Sequence, residues 1–497
     1  MKKSFGIALT TALALSGCPA EPTPPSVDAG ADAPLLLDGG GPTDAPAELD
    51  APPADDAGLP DAGPPPLPAI TNPDPHTVAA SADGHDRLYA VVFAPDSSFY
   101  VAGVTADGVA ATDDFRTIVG HFTAAGDLDT TFGTAGWFSQ NLSVGTNAEQ
   151  PHGIDLQSDG SIVVAATVDH AGATDARDRD VAVFRLTPAG ALDTTFGAAG
   201  IALLDLSDGE AEPAPSTAYA ADSSWNLVVD GSDRILVAVG MKRDGATDTD
   251  FGVVRLTEDG TLDATFGTAG VFSLDVANLG ASVRSIALLP TGRILGSGYY
   301  RDASMVVNPV LYALTADGAL DTTFATGGVF SSTVLAAQAE IYGIDLQGDS
   351  VVTGGYGRDD GPGDNDFITM RFDAATGVRD TTYGTLNGVG ILSGYDFGDN
   401  ARAVVTLPDD RVLLVGALRT PTTATSDAAI VVFTEDGVPD STFGAGGVEL
   451  ADTAGLLVDH FWAVDVDPRG ERVVAVGIGG TAVPSDDDGL VYLFPTP

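Results

Sequence analysis

Short runs of apolar and β-branched residues recur along residues 85–497, separated by turns rich in Asp, Gly and Pro. The unit around 402–450 shows the arrangement, with runs at 403–407 and 411–416, a third at 428–433 and a fourth at 448–450. Hairpins are typically marked by short β-rich runs with Asp-Gly or Gly-Gly between them. Because helical periodicity is absent, the pattern predicts an all-β protein with four strands in each unit.

One phrase recurs with these units. The six copies are GDLDTTFGTAG at 126–136, GALDTTFGAAG at 190–200, GTLDATFGTAG at 260–270, GALDTTFATGG at 318–328, GVRDTTYGTLNGVG at 377–390 and GVPDSTFGAGG at 437–447. The aromatic residue of each copy follows the previous one by about 60 residues. Such a period means that one structural unit is repeated and that stacked units form the core. Four strands in a unit of this length predict β-propeller blades.

The number of blades can be predicted from the first hairpin of each unit. It occurs seven times, near 88–103, 152–165, 225–240, 284–298, 342–355, 402–416 and 462–477. The chain stops after the third strand of the seventh unit, and the extended segment 76–81 is available to supply the fourth. A closing N-terminal strand would remove open sheet edges. We therefore predict seven four-stranded blades over residues 76–497.

The repeated phrase resembles the signature of the delta-60 repeat family, bacterial proteins assigned to a β-propeller fold of unknown function. The resemblance covers nearly all of 85–497, with departures at Ala325 and in the fifth copy, which has Tyr383 and a three-residue insertion. It implies no catalytic residues. From the residues themselves, we expect each phrase Asp to bond the backbone of its own turn and each phrase aromatic to pack between blades.

The N-terminus predicts export and lipid attachment. Lys2 and Lys3 precede an apolar run from Phe5 to Leu15, as in a signal peptide, here assigned to residues 1–17. The run ends in Leu-Ser-Gly-Cys, which resembles the bacterial lipoprotein lipobox, and Cys18 is the single cysteine of the chain. The lipobox implies diacylglycerol on Cys18 and cleavage before it. The residues after Cys18 lack the aspartate associated with inner-membrane retention, so we expect the outer membrane rather than the inner.

Residues 18–75 predict a disordered tether. Sixteen of the 31 prolines fall in 19–75, with Ala, Gly and Asp making up most of the rest, and no Lys or Arg occurs between Lys3 and Arg87. Such a composition cannot bury enough apolar surface to offset its ordering entropy, and proline extends the chain. We therefore expect a spacer between the membrane and the propeller.

Alignment of the seven first strands predicts a ring of bulky side chains near one mouth of the central channel, which we call the channel-mouth ring. Its members are Tyr89, His152, Trp225, Arg284, Tyr342, Arg402 and Trp462. Aromatic rings with Arg and His suit the stacking of sugars or the holding of an anionic group. The alternative is that these side chains only pack between blades, since aromatic residues are commonly part of a core.

Acidic loops on the same face offer a weaker hypothesis. The segment 358–366 carries Asp359, Asp360, Asp364 and Asp366, which makes Ca²⁺ binding a hypothesis although the spacing is not that of an EF-hand. No other cofactor is indicated, so none is expected.

The net charge of −48 argues against nucleic acid as a partner. No motif of a known hydrolase, phosphate loop or dinucleotide site occurs. The sequence favours a monomeric, lipid-anchored surface protein that binds a glycan, peptide or protein, or acts as a scaffold, over an enzyme. The alternatives are a propeller-fold glycoside hydrolase or lyase acting on extracellular polysaccharide, with His152 or the ring arginines, and a structural coat protein without a small ligand.

Overall fold

A computed structural model describes most of the chain from residue 66 onward. The described ranges are 66–81, 84–106, 114–143, 149–171, 178–207, 221–242, 248–276, 280–359, 365–393, 399–419, 426–451, 459–480 and 487–497. The predicted signal peptide and Cys18 lie outside them, as do residues 18–65 of the predicted tether. The described residues form strands joined by turns, and none of them belongs to a helix long and apolar enough to cross a membrane.

The strands form repeat units in chain order, which confirms the predicted all-β propeller. Unit 1 contains β2 (Asp86–Phe93), β3 (Phe99–Ala106), β4 (Phe115–Phe122) and β5 (Trp137–Gln140). Unit 2 contains β6 (Gln150–Leu156), β7 (Ile162–Asp169), β8 (Arg179–Leu186) and β9 (Ile201–Leu204). Unit 3 contains β10 (Ser223–Val229), β11 (Ile235–Met241), β12 (Asp250–Leu256) and β13 (Val271–Leu274). Unit 4 contains β14 (Ala281–Leu288), β15 (Ile294–Arg301), β16 (Val307–Leu314) and β17 (Val329–Ser331).

The remaining units follow the same plan. Unit 5 contains β18 (Gln338–Ala339), β19 (Gly343–Gln347), β20 (Ser350–Arg358), β21 (Asp366–Asp373) and β22 (Gly390–Leu392). Unit 6 contains β23 (Asn400–Thr406), β24 (Val412–Arg419), β25 (Ser426–Phe433) and β26 (Val448–Ala451). Unit 7 contains β27 (His460–Val466), β28 (Arg472–Gly480), β29 (Asp487–Pro495) and, from the N-terminal side, β1 (His76–Val78).

Neighbouring strands within a unit pair antiparallel, and β18 also contacts β16 of unit 4 through one parallel pair, Val307 with Gln338. The strand β1 pairs antiparallel with β29, with His76 opposite Val491. Unit 7 is therefore completed by the segment that the sequence analysis assigned to this position. Among the described residues, five units form separate four-stranded sheets, whereas units 4 and 5 form one nine-stranded sheet, because β18 pairs with β16 and because β18 and β19 both pair with β20. The count of seven blades stays a prediction.

The hydrophobic core lies between units. Seven clusters of buried side chains each combine residues of two neighbouring units, and one of them joins Val474 and Val491 of unit 7 to Val101 and Ile118 of unit 1. Burial of this apolar surface is the main favourable term in folding. The chain therefore depends on contacts between successive units, as expected for a repeat protein.

The repeated phrase contributes to these contacts in the manner predicted. Phe196 is fully buried, and Gly260, which opens the next copy, has φ +83°. A Cβ atom on Gly260 would lie 2.7 Å from the Phe196 ring, so the glycine gives the aromatic side chain of the preceding unit its space. Phe132, Phe266, Phe324 and Tyr383 pack in the same way against Gly190, Gly318, Gly377 and Gly437.

The aspartate of each repeated phrase stabilises the turn to which it belongs. One carboxylate oxygen of Asp193 accepts hydrogen bonds from the backbone N–H and the hydroxyl of Thr195, at 3.0 and 2.6 Å. The other accepts from Nε of Arg185 at 2.8 Å. Hydrogen bonds from Thr382 and Arg371 in the equivalent turn lower the pKa of Asp380 to about 2. Each carboxylate therefore serves a separate turn.

Residues 66–75, the last part of the predicted tether, contact the propeller at the face opposite the start of the first strands. The guanidinium group of Arg472 donates to the carbonyl oxygen of Pro68. The hydroxyl of Thr71 donates to Asp127 at 2.8 Å, and Ile70 packs against the cluster shared by units 7 and 1. The chain therefore enters the propeller at that face before it forms β1.

Candidate functional site

The predicted ring residues occupy the same irregularity in the first strand of each unit. In six units the pairing with the second strand shifts by one residue at the ring position, for example between Leu88 and Ala90 on either side of Tyr89. In unit 5, Tyr342 lies in the gap between β18 and β19. A β-bulge leaves one residue unpaired and redirects its side chain. These bulges turn the ring side chains toward the central channel.

Glycine in the second strand allows this bulge in five units. A Cβ atom on Gly416 would lie 1.9 Å from the carbonyl oxygen of Asn400, two residues before Arg402. The equivalent glycines are Gly103, Gly298, Gly355 and Gly477. The corresponding positions in units 2 and 3 are Ala166 and Val239. The close backbone approach thus explains a glycine pattern that the sequence analysis did not use.

The structure brings all seven ring residues into contact, each with the next. Ring centres lie 5.1 Å apart for Tyr89 and His152, 4.8 Å for His152 and Trp225, and 5.3 Å for Trp462 and Tyr89. The guanidinium carbon of Arg284 lies 4.0 Å from the Trp225 ring centre and 4.5 Å from that of Tyr342. That of Arg402 lies 4.7 Å from the Tyr342 ring centre and 4.6 Å from that of Trp462. These are aromatic and cation–π distances, and they close the ring.

A cavity of about 160 Å³ lies against the channel-mouth ring. Its lining includes all seven ring residues and the small or polar residue that follows six of them, such as Asn226 and Ser285. At about 30 Å³ per water molecule, this space holds about five waters or one small functional group. The ring is therefore the wall of a small polar site.

The ring arginines have few polar partners. Arg284 is 8% exposed; its Nη1 donates to the Val283 carbonyl at 3.2 Å, and its Nη2 lies 3.5 Å from the Tyr299 hydroxyl. Its Nε is buried without a hydrogen-bond partner. Nε of Arg402 donates to Nε2 of His460 at 3.2 Å. Among the described residues, neither guanidinium forms an ion pair within 4.0 Å.

The histidines near the ring carry no charge at neutral pH. Burial, with the positive charge of Arg284, lowers the pKa of His152 to about 4. Burial, with the charge of Arg402, lowers the pKa of His460 to about 3. Since both stay neutral near pH 7, the positive charge of the ring belongs to Arg284 and Arg402.

An outer group of side chains, which the sequence analysis missed, lies beside Arg284 and Tyr342. The backbone N–H of Glu340 donates to the Tyr356 carbonyl oxygen at 3.0 Å, and the ring centres of Tyr342 and Tyr356 lie 5.4 Å apart. The Tyr299 ring centre lies 5.0 Å from the Arg284 guanidinium carbon. Burial raises the pKa of Glu340, an effect that the charges of Arg284, Arg301 and Arg402 oppose. The tyrosines near the ends of adjacent second strands could have signalled this group.

Three carboxylates occur further along the first strands. Asp155, Asp345 and Asp465 each stand three residues after a ring member and each accept a hydrogen bond from the backbone of the next unit, at 2.6 to 2.8 Å. Burial raises the pKa of Asp155 to about 6 and that of Asp465 to about 7, and it also raises the pKa of Asp345. The other units have Val or Ala at this position, so the sequence period gave no signal for it.

The predicted Ca²⁺ ligands are not brought together among the described residues. The Oδ1 atom of Asp359 accepts a hydrogen bond from the backbone N–H of Ala336 at 3.1 Å, and Asp366 begins β21. Asp360 and Asp364 lie outside the described ranges. Two groups of potential metal ligands in the described part of the chain lie elsewhere, His170 with Asp180 and Asp205, and Asp248 with Asp250 and Asp275. Ca²⁺ binding at 358–366 stays a prediction.

Comparison with protein families supports the propeller. The model of a domain of unknown function with a β-propeller fold (DUF5122) matches residues 157–196, 231–266 and 289–324. This supports a β-propeller family of unknown function, and the narrower delta-60 resemblance stays a prediction. No curated protein matches the chain in sequence.

Solved propellers resemble the chain at low identity. A PL25 ulvan lyase bound to a GlcA–Rha3S ligand has TM-score 0.45 and 10% identity, covering 85% of this chain and 96% of that one. The β-propeller domain of the Trilobed protease from Pyrococcus furiosus has TM-score 0.42 and 11% identity, covering 85% and 97%. The Hadza microbial sialidase Hz136 has TM-score 0.41 and 10% identity, covering 78% and 74%. These values do not extend the likeness to function.

Proposed function

We propose that the protein is a lipid-anchored protein of the bacterial cell envelope, in the outer membrane rather than the inner, whose propeller binds an extracellular ligand at the channel-mouth ring. Cys18 would carry the lipid, and residues 18–65 would serve as the tether. Residues 66–75, which follow the proposed tether, contact the propeller at the face opposite the ring.

One observation carries the binding proposal. Seven side chains spaced about 60 residues apart in sequence form one closed ring against a cavity of about 160 Å³. Packing between units accounts for buried aromatics, but it does not account for polar atoms left without partners. Nδ1 of His152, Nε of Arg284 and Nε1 of Trp462 are buried and make no hydrogen bond. Such atoms cost free energy unless a ligand or water bonds to them.

The arrangement favours binding over catalysis. A hydrolase or lyase that used His152 as acid or base would need carboxylates within hydrogen-bonding distance of it. Nδ1 of His152 instead has no hydrogen-bond partner, and no carboxylate of a described residue bonds to this side chain. Oε2 of Glu340 is likewise buried without a hydrogen-bond partner. The enzyme alternative would gain support from product formation on an extracellular polysaccharide.

Thermal denaturation with a panel of acidic oligosaccharides, neutral oligosaccharides and short peptides tests this proposal. A ligand at 100 times its dissociation constant adds about 2.7 kcal/mol. With an unfolding entropy of about 2.1 cal/mol/K per residue, this corresponds to about 3 °C for residues 66–497. We expect at least one panel member to raise Tm by this amount, and Trp225→Ala to abolish the rise.

Trp137→Ala is the matched control. Trp137 is the tryptophan outside the ring, and it packs against the cluster shared by units 7 and 1. Its removal should lower the basal Tm but preserve the ligand-induced rise. The proposal fails if no panel member shifts Tm, or if the shift survives Trp225→Ala.

A further inference from the structure

We propose that the group held by the channel-mouth ring is a singly charged oxyanion, a carboxylate or a sulfate ester on a sugar, bound by Arg284 and Arg402 together. This inference rests on the proposed function and names its ligand class. Tyr342 contacts both guanidinium groups, at 4.5 and 4.7 Å from its ring centre. The two cations are therefore neighbours on one side of the ring.

The stacking leaves part of the guanidinium N–H groups for a ligand, since Nη1 and Nη2 of Arg284 and Nε of Arg402 already have partners. Arg284 contacts the rings of Trp225 and Tyr342, and Arg402 contacts those of Tyr342 and Trp462. Aromatic rings interact with the faces of guanidinium groups, whereas the hydrogen-bond donors lie in the guanidinium plane. Pairs of such donors match the oxygens of carboxylates and sulfates. Nε of Arg284 is such a donor, buried and without a partner.

The charge balance of the site requires an anion. Burying a cation without a counter-ion is costly, and the penalty falls when an anion binds. Arg284 is 8% exposed and forms no ion pair within 4.0 Å with a described residue. The neighbouring histidines stay neutral, as their lowered pKa values show. A chain of net charge −48 thus contains a local cationic site that is shielded by aromatic side chains.

Glu340 limits the charge of the ligand. This carboxyl group is 5% exposed and senses the charges of Arg284 and Arg402 from beyond ion-pair distance. When ionised, it reduces the net charge of the site from two to one. A singly charged oxyanion then balances the site, whereas a doubly charged phosphate would leave one buried negative charge without a counter-ion. The aromatic walls supply the stacking surface for the sugar that carries the anion.

Tryptophan fluorescence tests the inference with three sugars that share one hexose ring: glucuronate, glucose 6-sulfate and glucose. Because Trp225 and Trp462 belong to the ring, we expect saturable quenching by at least one of the two anions at constant ionic strength. Glucose should bind at least about 30-fold more weakly, since it lacks a charge-assisted bond worth about 2 kcal/mol. The preferred anion distinguishes a carboxylate ligand from a sulfate ester.

The variants Arg284→Gln and Arg402→Gln should each weaken anion binding at least about 30-fold, while Glu340→Gln should tighten it several-fold. Arg301→Gln is the matched control, because Arg301 is exposed and lies beside Tyr299, outside the ring. We expect it to change binding by less than twofold.

The wild-type comparison needs no variant, so a variant that fails to fold does not decide the matter. The inference is overturned if neither anion binds saturably at concentrations of tens of millimolar. It is also overturned if glucose binds as tightly as the anions do. If Arg301→Gln weakens anion binding as much as Arg284→Gln and Arg402→Gln do, the effect is one of general electrostatics, and the inference is overturned as well. If neutral sugars or peptides bind in a Trp225-dependent way while the anions do not, the ligand class is wrong and the proposed function stands.

Discussion

The substitution Asp465→Asn tests whether burial in the propeller interior raises the pKa of a carboxyl group and so makes stability depend on pH. Asp465 accepts hydrogen bonds from the backbone N–H groups of Phe93 in unit 1 and of Val466, both at 2.8 Å. Burial raises its pKa from 3.8 to about 7, and the charges of Asp345 and Asp155 add to this effect. The native state therefore holds a proton that the unfolded chain has already released between about pH 4 and pH 7.

The sign of the effect follows from this proton difference. Because the folded state binds more protons, stability is greatest below pH 4 for this group and falls as pH rises toward 7. A difference of about three pKa units at about 1.36 kcal/mol each gives a loss of up to about 4 kcal/mol. For residues 66–497, with an unfolding entropy of about 2.1 cal/mol/K per residue, this corresponds to about 4 °C in Tm.

Asparagine cannot ionise, so the variant does not lose stability in this way as pH rises. Below pH 4, Asp465→Asn should be less stable by about 1–2 kcal/mol, since its NH₂ group cannot accept one of the two hydrogen bonds. At pH 8, it should be more stable than the wild type by about 2 kcal/mol, because the wild type has by then lost about 4 kcal/mol. The measurement is Tm of both proteins from about pH 3.5 to pH 8, and the two curves should cross near pH 5.

Asp380→Asn is the control of opposite sign. Hydrogen bonds from Thr382 and Arg371 lower the pKa of Asp380 to about 2, so its stabilisation is complete above pH 4 and is lost only as pH falls toward 2. Its Tm curve should run below that of the wild type by a constant amount between pH 5 and pH 8. Parallel curves for wild type and Asp465→Asn would refute the reasoning.

Two further predictions concern the bulge and the anchor. Gly416→Ala places a Cβ atom 1.9 Å from the Asn400 carbonyl oxygen and should destabilise by more than about 2 kcal/mol, whereas Gly231→Ala, with no atom within 4 Å, should change Tm by less than about 1 °C; equal effects would contradict the packing argument. Cys18→Ala should move the protein from the membrane fraction to the soluble fraction and abolish labelling by a fatty-acid analogue, and retention in the membrane would reject lipidation.

The fold could be predicted from the sequence because its signals are local and repeated. Phe196 and Gly260 belong to successive copies of the phrase, and their packing follows from a period that any reader of the sequence can count. The positions of Trp225 and Arg402 followed from aligning the first strands on their turns. The alignment placed them at one height in the channel, and the structure places them in one ring.

The features that could not be predicted are side-chain contacts between different units. The 60-residue period does not encode them, because they involve residues that are not repeated. Asp155, Asp345 and Asp465 interrupt an otherwise apolar position, and their hydrogen bonds reach the next unit. Glu340 and Tyr356 belong to unit 5, and their relation to Arg284 of unit 4 appears only when the units are placed side by side. The bulge at the ring position was not predicted either, because its sequence signal is a glycine in the second strand and not a residue of the bulged first strand.

The contacts of residues 66–75 have a mechanical consequence. The strand β1 contains three residues, and it completes unit 7. Tension applied to the chain before residue 66 would reach the bonds of Arg472 with Pro68 and of Thr71 with Asp127 before it reached the β1–β29 ladder. A pull on the tether would thus be distributed over units 7 and 1 together. The pairing of β1 with β29, which completes unit 7, is therefore protected from mechanical separation by the contacts of residues 66–75.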